Sequence, residues 1–180
     1  MYRIVTISGL SFTGTTTLAS ELAKSLGWTF LSAGERFRQY CNTKGLSLTS
    51  IPNDVHLAFD ATIKEEIRML EHVVMEGRYL GFFAKDYNDV LTVWVHSKLA
   101  SRSARCLERE DVISSLEEAG NHIVDRDSCE KGIGNELYGL ADFTNPAQFA
   151  RVFENSDEDD REKIISALTS VVIPGTQASE

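Results

Sequence analysis

The chain has 180 residues, 42% hydrophobic and 25% charged, enough to bury one substantial core. Its formal charge of −9 lacks the broad Lys and Arg excess of a general nucleic-acid or anionic-membrane surface; a few converging arginines would still take a small anion. No apolar run approaches bilayer length, and Met1 leads straight into Ile4-Val5-Thr6-Ile7-Ser8 with no basic leader, so a cytoplasmic protein is expected.

In chain order, residues 2–8 read as a buried strand, followed by the turn-rich Gly9-Leu10-Ser11-Phe12-Thr13-Gly14. Residues 16–26 have helical spacing, and Gly27 stops the helix. A short strand over 28–31 precedes a helix opened by Ser32-Ala33-Gly34-Glu35, and Asn53 or Asp54 caps a long helix reaching about residue 71. Strands over 72–75 and 89–95 follow, then a charged amphipathic helix over 99–110. Residues 111–144 have helical potential broken by glycines and form the best lid candidate, and 149–153 supplies a last strand. A terminal helix spans 157–172, its acidic first turn suited to the helix dipole, and the rest is a frayed tail. Strands alternating with helices imply a parallel sheet covered on both faces, with ligands outside the carboxyl ends of the strands.

Cys41, Cys106 and Cys129 are odd in number and widely spaced, which fits incidental thiols rather than zinc ligands or a disulfide framework. The histidines His56, His72, His96 and His122 match no catalytic signature and read as structural or solvated.

The strongest local feature is Gly9-Leu10-Ser11-Phe12-Thr13-Gly14-Thr15-Thr16, between the first strand and first helix. Glycines there let successive N–H groups and the helix N-terminus face a phosphate, and the Thr16 hydroxyl stands where Mg²⁺ is usually held. The pattern GxxxxGK[ST] wants Lys where Thr15 stands, so a glycine-rich structural turn is the competing reading; strand–loop–helix placement favours phosphate. Without that lysine, arginines and Mg²⁺ must carry more of the neutralising charge.

Further stations supply it. After the second strand, Arg38 can grip an acceptor phosphate while Ala33-Gly34 lies against the nucleoside; Arg36 faces elsewhere. Glu76-Gly77-Arg78 ends the third strand, with Glu76 placed for Mg²⁺ and Arg78 for a phosphate, or simply as a surface ion pair. Arg102, Arg105 and Arg109 can share one helix face, either solvated or turned to the site. Arg126 in the lid could cover the donor phosphates, and Asp60 could accept from a base amino group or be a solvated helix residue.

At these residues the chain resembles the nucleoside monophosphate kinases, most closely the archaeal-type cytidylate kinases. The resembling segments are IVTISGLSFTGTTTLASELAKSLGW, FLSAGERFRQYCNTKGLSL, VVMEGRYLGFFAKD, LTVWVHSKLASRSARCLERE, DRDSCEKGIGNELYG and the segment around Val152 to Asn155 before the last helix. The resemblance implies a P-loop three-layer sandwich with a central five-stranded parallel sheet and a helical lid. It implies one domain over residues 1–173, an acceptor-binding region at about 35–71, a lid at about 111–144 and a flexible tail at 174–180. It implies ATP and Mg²⁺ as cofactors and CMP or dCMP as acceptor, with neither a nucleic acid polymer nor a membrane as partner and a monomeric state. A catalytically impaired relative, or a kinase for another acceptor such as AMP or UMP, is the alternative.

The implied roles fall on residues of this sequence. Gly9, Leu10, Ser11, Phe12, Thr13, Gly14, Thr15, Thr16 and Thr17 meet the ATP phosphates, and Thr16 and Glu76 the metal. Ala33, Gly34, Arg38, Asp60, Gly77 and Arg78 meet the acceptor, while Arg78, Arg105, Arg109 and Arg126 are catalytic. The chain also departs from the family pattern: Phe12 replaces a small residue and is expected to crowd the loop. Ala61 and Ile133 stand where arginines are expected, and Ala141 where an acid is.

Overall fold

The computed structural model describes residues 1–47 and 51–173. The expected tail at 174–180 lies outside the described residues, as do 48–50 of the expected acceptor-binding region. The strands are β1 (Ile4–Gly9), β2 (Thr29–Ser32), β3 (Val73–Glu76), β4 (Val90–His96) and β5 (Arg151–Glu154). They form one sheet in the order β2-β3-β1-β4-β5, parallel at every pairing. Helices are α1 (Thr15–Leu26), α2 (Ala33–Thr43), α3 (Asn53–Met69), α4 (Leu80–Ala84), α5 (Leu99–Arg109), α6 (Leu116–Tyr138) and α7 (Asp160–Val172).

The period of two along the strands divides the core. Val5, Ile7, Val74, Leu91, Val93 and Val95 pack with Leu18 and Leu22 of α1 and Ile164 and Leu168 of α7. Ile4, Val73, Met75 and Val90 instead pack with Phe59, Ile63 and Ile67 of α3 and Leu80 of α4. Each fully buried aliphatic side chain is worth roughly 1.5–3 kcal/mol of transfer free energy, so both faces anchor the central strands. This is the three-layer sandwich expected, and it brings the loops after all five strands to one edge. No helix among the described residues is long and apolar enough to cross a membrane.

Several boundaries differ from expectation, each for a local reason. The N-cap of α3 is Pro52, which has no side-chain acceptor to offer, and the Asn53 amide instead donates across to Glu136 of α6 at 2.6 Å. Helix α4 was not expected, being too short to show a period. Region 111–144 is dominated by the unbroken 23-residue α6, despite its internal glycines. Ser115 caps it by accepting from the Glu118 N–H, and Ala119 and Ile123 bury against Cys106 of α5. Strand β5 starts at Arg151, not at residue 149, because the Phe149 ring packs against Trp94, 5.1 Å between centroids. Helix α7 starts at Asp160, whose carboxylate accepts from the Ser156 and Asp157 N–H groups at 2.9 and 2.8 Å and so turns the acidic run into a cap. Cys41 and Cys106 are buried and Cys129 is exposed, all as free thiols.

Candidate nucleotide site

The loop between β1 and α1 is confined from below. A Cβ on Gly9 would stand 2.6 Å from the Val95 carbonyl oxygen, and Gly14 has φ +85°, so both positions require glycine. The Asn155 amide, just past β5, donates to the Thr13 carbonyl at 2.8 Å, and Thr13 donates its hydroxyl to the Leu10 carbonyl at 2.8 Å. Phe12 has φ +63°, and its ring packs beside the buried Cys106, Ala119 and Ile123 of α5 and α6. The expected crowding therefore does not arise in that form: the side chain anchors the loop to α5 and α6.

Two arginines of α5 hold the loop from beneath. Arg102 donates to the Ser11 carbonyl at 2.7 Å and pairs with Asp127 at 2.8 Å. Arg105 donates to the Phe12 carbonyl at 3.3 Å, the Asn155 carbonyl at 2.8 Å and the Ser97 hydroxyl at 3.1 Å. The arginines expected to share one helix face thus diverge, and of the three only Arg109 reaches the cavity above the loop.

That cavity holds about 490 Å³ and opens at the carboxyl edge of the sheet. Gly9, Leu10, Ser11, Phe12, Thr15 and Thr16 form its loop wall; Ala33, Gly34, Arg38, Asp60, Glu76, Gly77, Arg78, Arg109 and Arg126 are among the residues that line the rest. Gly14, Thr17 and Arg105 border a second cavity of about 540 Å³ on the far side of the loop, together with Asn155 and Ser156. Thr13 is buried under the loop. The sequence-predicted residues thus gather about the loop, but on two sides of it. Arg36 is turned aside, as read from the sequence, in a forked pair with Glu66.

The substituted loop position has a specific partner. Thr15 donates its hydroxyl to Glu76 at 3.1 Å, and Ser32 donates to the other oxygen of the same carboxylate at 2.9 Å. Glu76 therefore links the phosphate loop to the end of β2. Thr16 and Glu76 line the same cavity, and hydroxyl with carboxylate is a hard-oxygen donor set of the kind Mg²⁺ takes.

At the other end, Tyr138 donates its hydroxyl to Asp60. Burial pushes the Asp60 carboxyl above its ordinary range, opposed by the Tyr138 hydrogen bond and by nearby His56 and Lys64. Burial and the Asp60 charge push Tyr138 up as well, so its hydroxyl stays a donor. An aromatic wall missed in the sequence stands beside them. His56 stacks on Phe37 with ring centroids 4.8 Å apart, and Phe37 meets Phe59 edge-on at 5.0 Å. Burial lowers the pKa of His56, which keeps the imidazole neutral at pH 7. His56 matches no catalytic signature, and nothing local marks Phe37 and Phe59 as a wall.

A loop wrapping the end of β1, a helix N-terminus behind it, and arginines from separate elements facing one cavity define a P-loop kinase. The comparisons agree. The family described as cytidylate kinase-like matches residues 49–157. A cytidylate kinase of Thermococcus kodakarensis is 33% identical over 142 residues, 76% of this chain and 72% of that protein. A cytidylate kinase of Methanosarcina mazei is 31% identical over 76% of this chain and 78% of its own length. Among solved structures, a shikimate kinase from Bacteroides thetaiotaomicron has a TM-score of 0.65 at 14% identity, covering 94% of this chain and 98% of that one, a likeness of fold. The chain belongs to the cytidylate kinase-like family, and with it to the nucleotide kinases.

Proposed function

We propose that the protein transfers the γ-phosphoryl group of ATP to CMP or dCMP, giving ADP and CDP or dCDP. The observation carrying this reading is the convergence on one cavity of the phosphate loop, Arg38, Arg78, Arg109, Arg126 and the base-side carboxylate Asp60. The second cavity, across the loop, offers room for the nucleoside of the donor. We read residues 1–173 as a single kinase domain, 35–71 as the acceptor-binding region and 111–144 as the lid.

In this reading Asp60 accepts from the amino group of cytosine while Tyr138 occupies its other oxygen. Arg38 and Arg78 hold the acceptor phosphate, and Arg109 and Arg126 face the charge that develops on the transferred group. The loop N–H groups and the α1 N-terminus hold the donor phosphates. Thr16 and Glu76 would hold Mg²⁺, which when bound neutralises phosphate charge. Alignment and charge stabilisation are most of what this reaction needs, so the site requires no nucleophilic side chain.

An acceptor panel with Mg-ATP tests the reading. CMP and dCMP are expected to be phosphorylated fastest, ahead of UMP and AMP; no turnover of any of them by folded protein overturns it. A second reading, nucleotide binding without efficient transfer, has its own support: Thr15 is engaged by Glu76, and the apolar Ile133 lines the cavity. Calorimetric binding of CMP without product separates the two.

A further inference from the structure

A buried carboxylate with no part in the scheme above sits where its main elements meet. Glu130 of α6 has a side chain only 5% exposed. Its Oε1 accepts from Arg78, from Arg126 Nε at 3.1 Å and from the Ser11 hydroxyl at 3.1 Å. The Tyr79 hydroxyl donates to the carbonyl of the same residue at 2.8 Å. One oxygen therefore collects donors from the phosphate loop, the turn after β3 and the lid helix. Arg78 and Arg126 line the main cavity, and Glu130 stands behind them.

We propose that Glu130 is a positioning residue for phosphoryl transfer, holding Arg78, Arg126 and the phosphate loop so that both guanidiniums face one cavity. The proposal rests on the kinase reading and extends it to a residue that contacts neither substrate. Two guanidiniums brought this close repel, and each side chain has many rotamers to sample. A shared anion behind them offsets the repulsion and fixes both forks, at the cost of some net positive charge. The anchor matters more here because Thr15 and Ile133 supply no charge where the resemblance leads one to expect cations. A hydrogen bond to Ser11 from the same oxygen ties this arrangement to the loop, so lid, acceptor arginine and donor site move as one unit.

The arrangement also provides a clean probe. Among the described residues Glu130 Oε2 has no hydrogen-bond partner. Glu130→Gln can keep its carbonyl oxygen facing the three donors and place its amide on the vacant side, removing charge with little change of shape. Its kcat/KM for CMP is expected to fall ~10- to 100-fold, the range of a misplaced catalytic group, while the melting temperature stays within a few degrees. In an Arg78→Ala background the same substitution should cost less than about threefold, because its main client is gone. A merely structural role would give the same factor in both backgrounds and a matching loss of melting temperature; that result overturns the proposal. So does E130Q retaining more than half of the wild-type kcat/KM, or binding CMP more tightly, which would make Glu130 a competitor of the phosphate. If E130Q does not fold, Glu130→Asp, which keeps the charge but falls short of the arginines, carries the same cycle. Wild-type protein that phosphorylates no nucleotide overturns the kinase reading alone. The cycle is then read in the calorimetric affinity for CMP, where loss on E130Q that vanishes with Arg78→Ala supports the proposal and an unchanged affinity overturns it.

Discussion

The arginines at the carboxyl edge of the sheet divide into two groups that look alike in sequence and differ in what their guanidiniums meet. Arg102 and Arg105 point under the phosphate loop and donate to its carbonyls and to Asn155. Arg38, Arg78, Arg109 and Arg126 point into the cavity above it. The first group has its donors engaged by the loop's own carbonyls and shapes the loop; in the second, Arg78 and Arg126 share Glu130 behind them yet line the cavity together with Arg38 and Arg109. A count of arginines near a phosphate loop therefore overstates the charge available for catalysis.

The widest separation between the groups should come from Arg102→Ala. Arg102 is 7% exposed and its partner Asp127 16%, so truncation leaves a largely buried carboxylate without its cation. A loss of about 3 kcal/mol of folding stability is expected, read by denaturant titration. Arg78→Ala should do the opposite: at least ~100-fold lower kcat/KM for CMP, through loss of a charged positioning contact, with a smaller change in stability because Arg126 still pairs with Glu130 at 3.1 Å. An effect on turnover below about threefold would remove Arg78 from the site and blur the division.

Much of this was legible in the sequence because the signals are local. Glycine spacing, the hydrophobic runs of the strands and the order of SAGERFR, EGR and the arginine helix fix the sheet edge and bring most predicted residues to one cavity. What could not be read are contacts between distant segments. The spacing of Arg102, Arg105 and Arg109 places them on one face, yet a helix passing beside a loop sends neighbouring side chains to different sides of it. Phe12 looked too large for its loop, since nothing local reveals the α5–α6 junction that receives it. Glu130 lies in an ordinary charged helix and becomes distinctive only when Ser11 and Arg78, far off in sequence, arrive beside it.

The Asp60 end of the cavity offers a third, smaller effect. Asp60→Asn keeps the shape but turns a pure acceptor into a mixed donor and acceptor, so preference for CMP over UMP should fall by roughly 10-fold, one to two hydrogen bonds' worth. The pH dependence has a definite sign. Because the folded pKa of Asp60 lies above the ordinary aspartate value, protonation begins at higher pH than for an exposed aspartate. The KM for CMP should rise as pH falls through that raised value, since protonation removes the Asp60 charge and turns one of its oxygens into a donor, and the limb should vanish in D60N. For stability the raised pKa works the other way. Its contribution is present below the unfolded value and lost as pH rises through the folded one, so D60N should be no less stable than wild type at pH 7.

The smallest effect tests the edge of the comparison. Arg36 is two residues from Arg38, on the same helix, and forms a forked pair with Glu66. Its side chain is about one-third exposed and that of Glu66 about one-fifth, so solvent screens the pair. Arg36→Ala should therefore cost no more than ~1 kcal/mol of stability and change kcat/KM for CMP by less than about twofold. Arg38→Ala, by contrast, removes a cavity guanidinium and should raise the KM for CMP. Equal kinetic effects from the two would mean that α2 acts on the acceptor as a whole, and that the direction of a guanidinium does not separate scaffold from site on this helix.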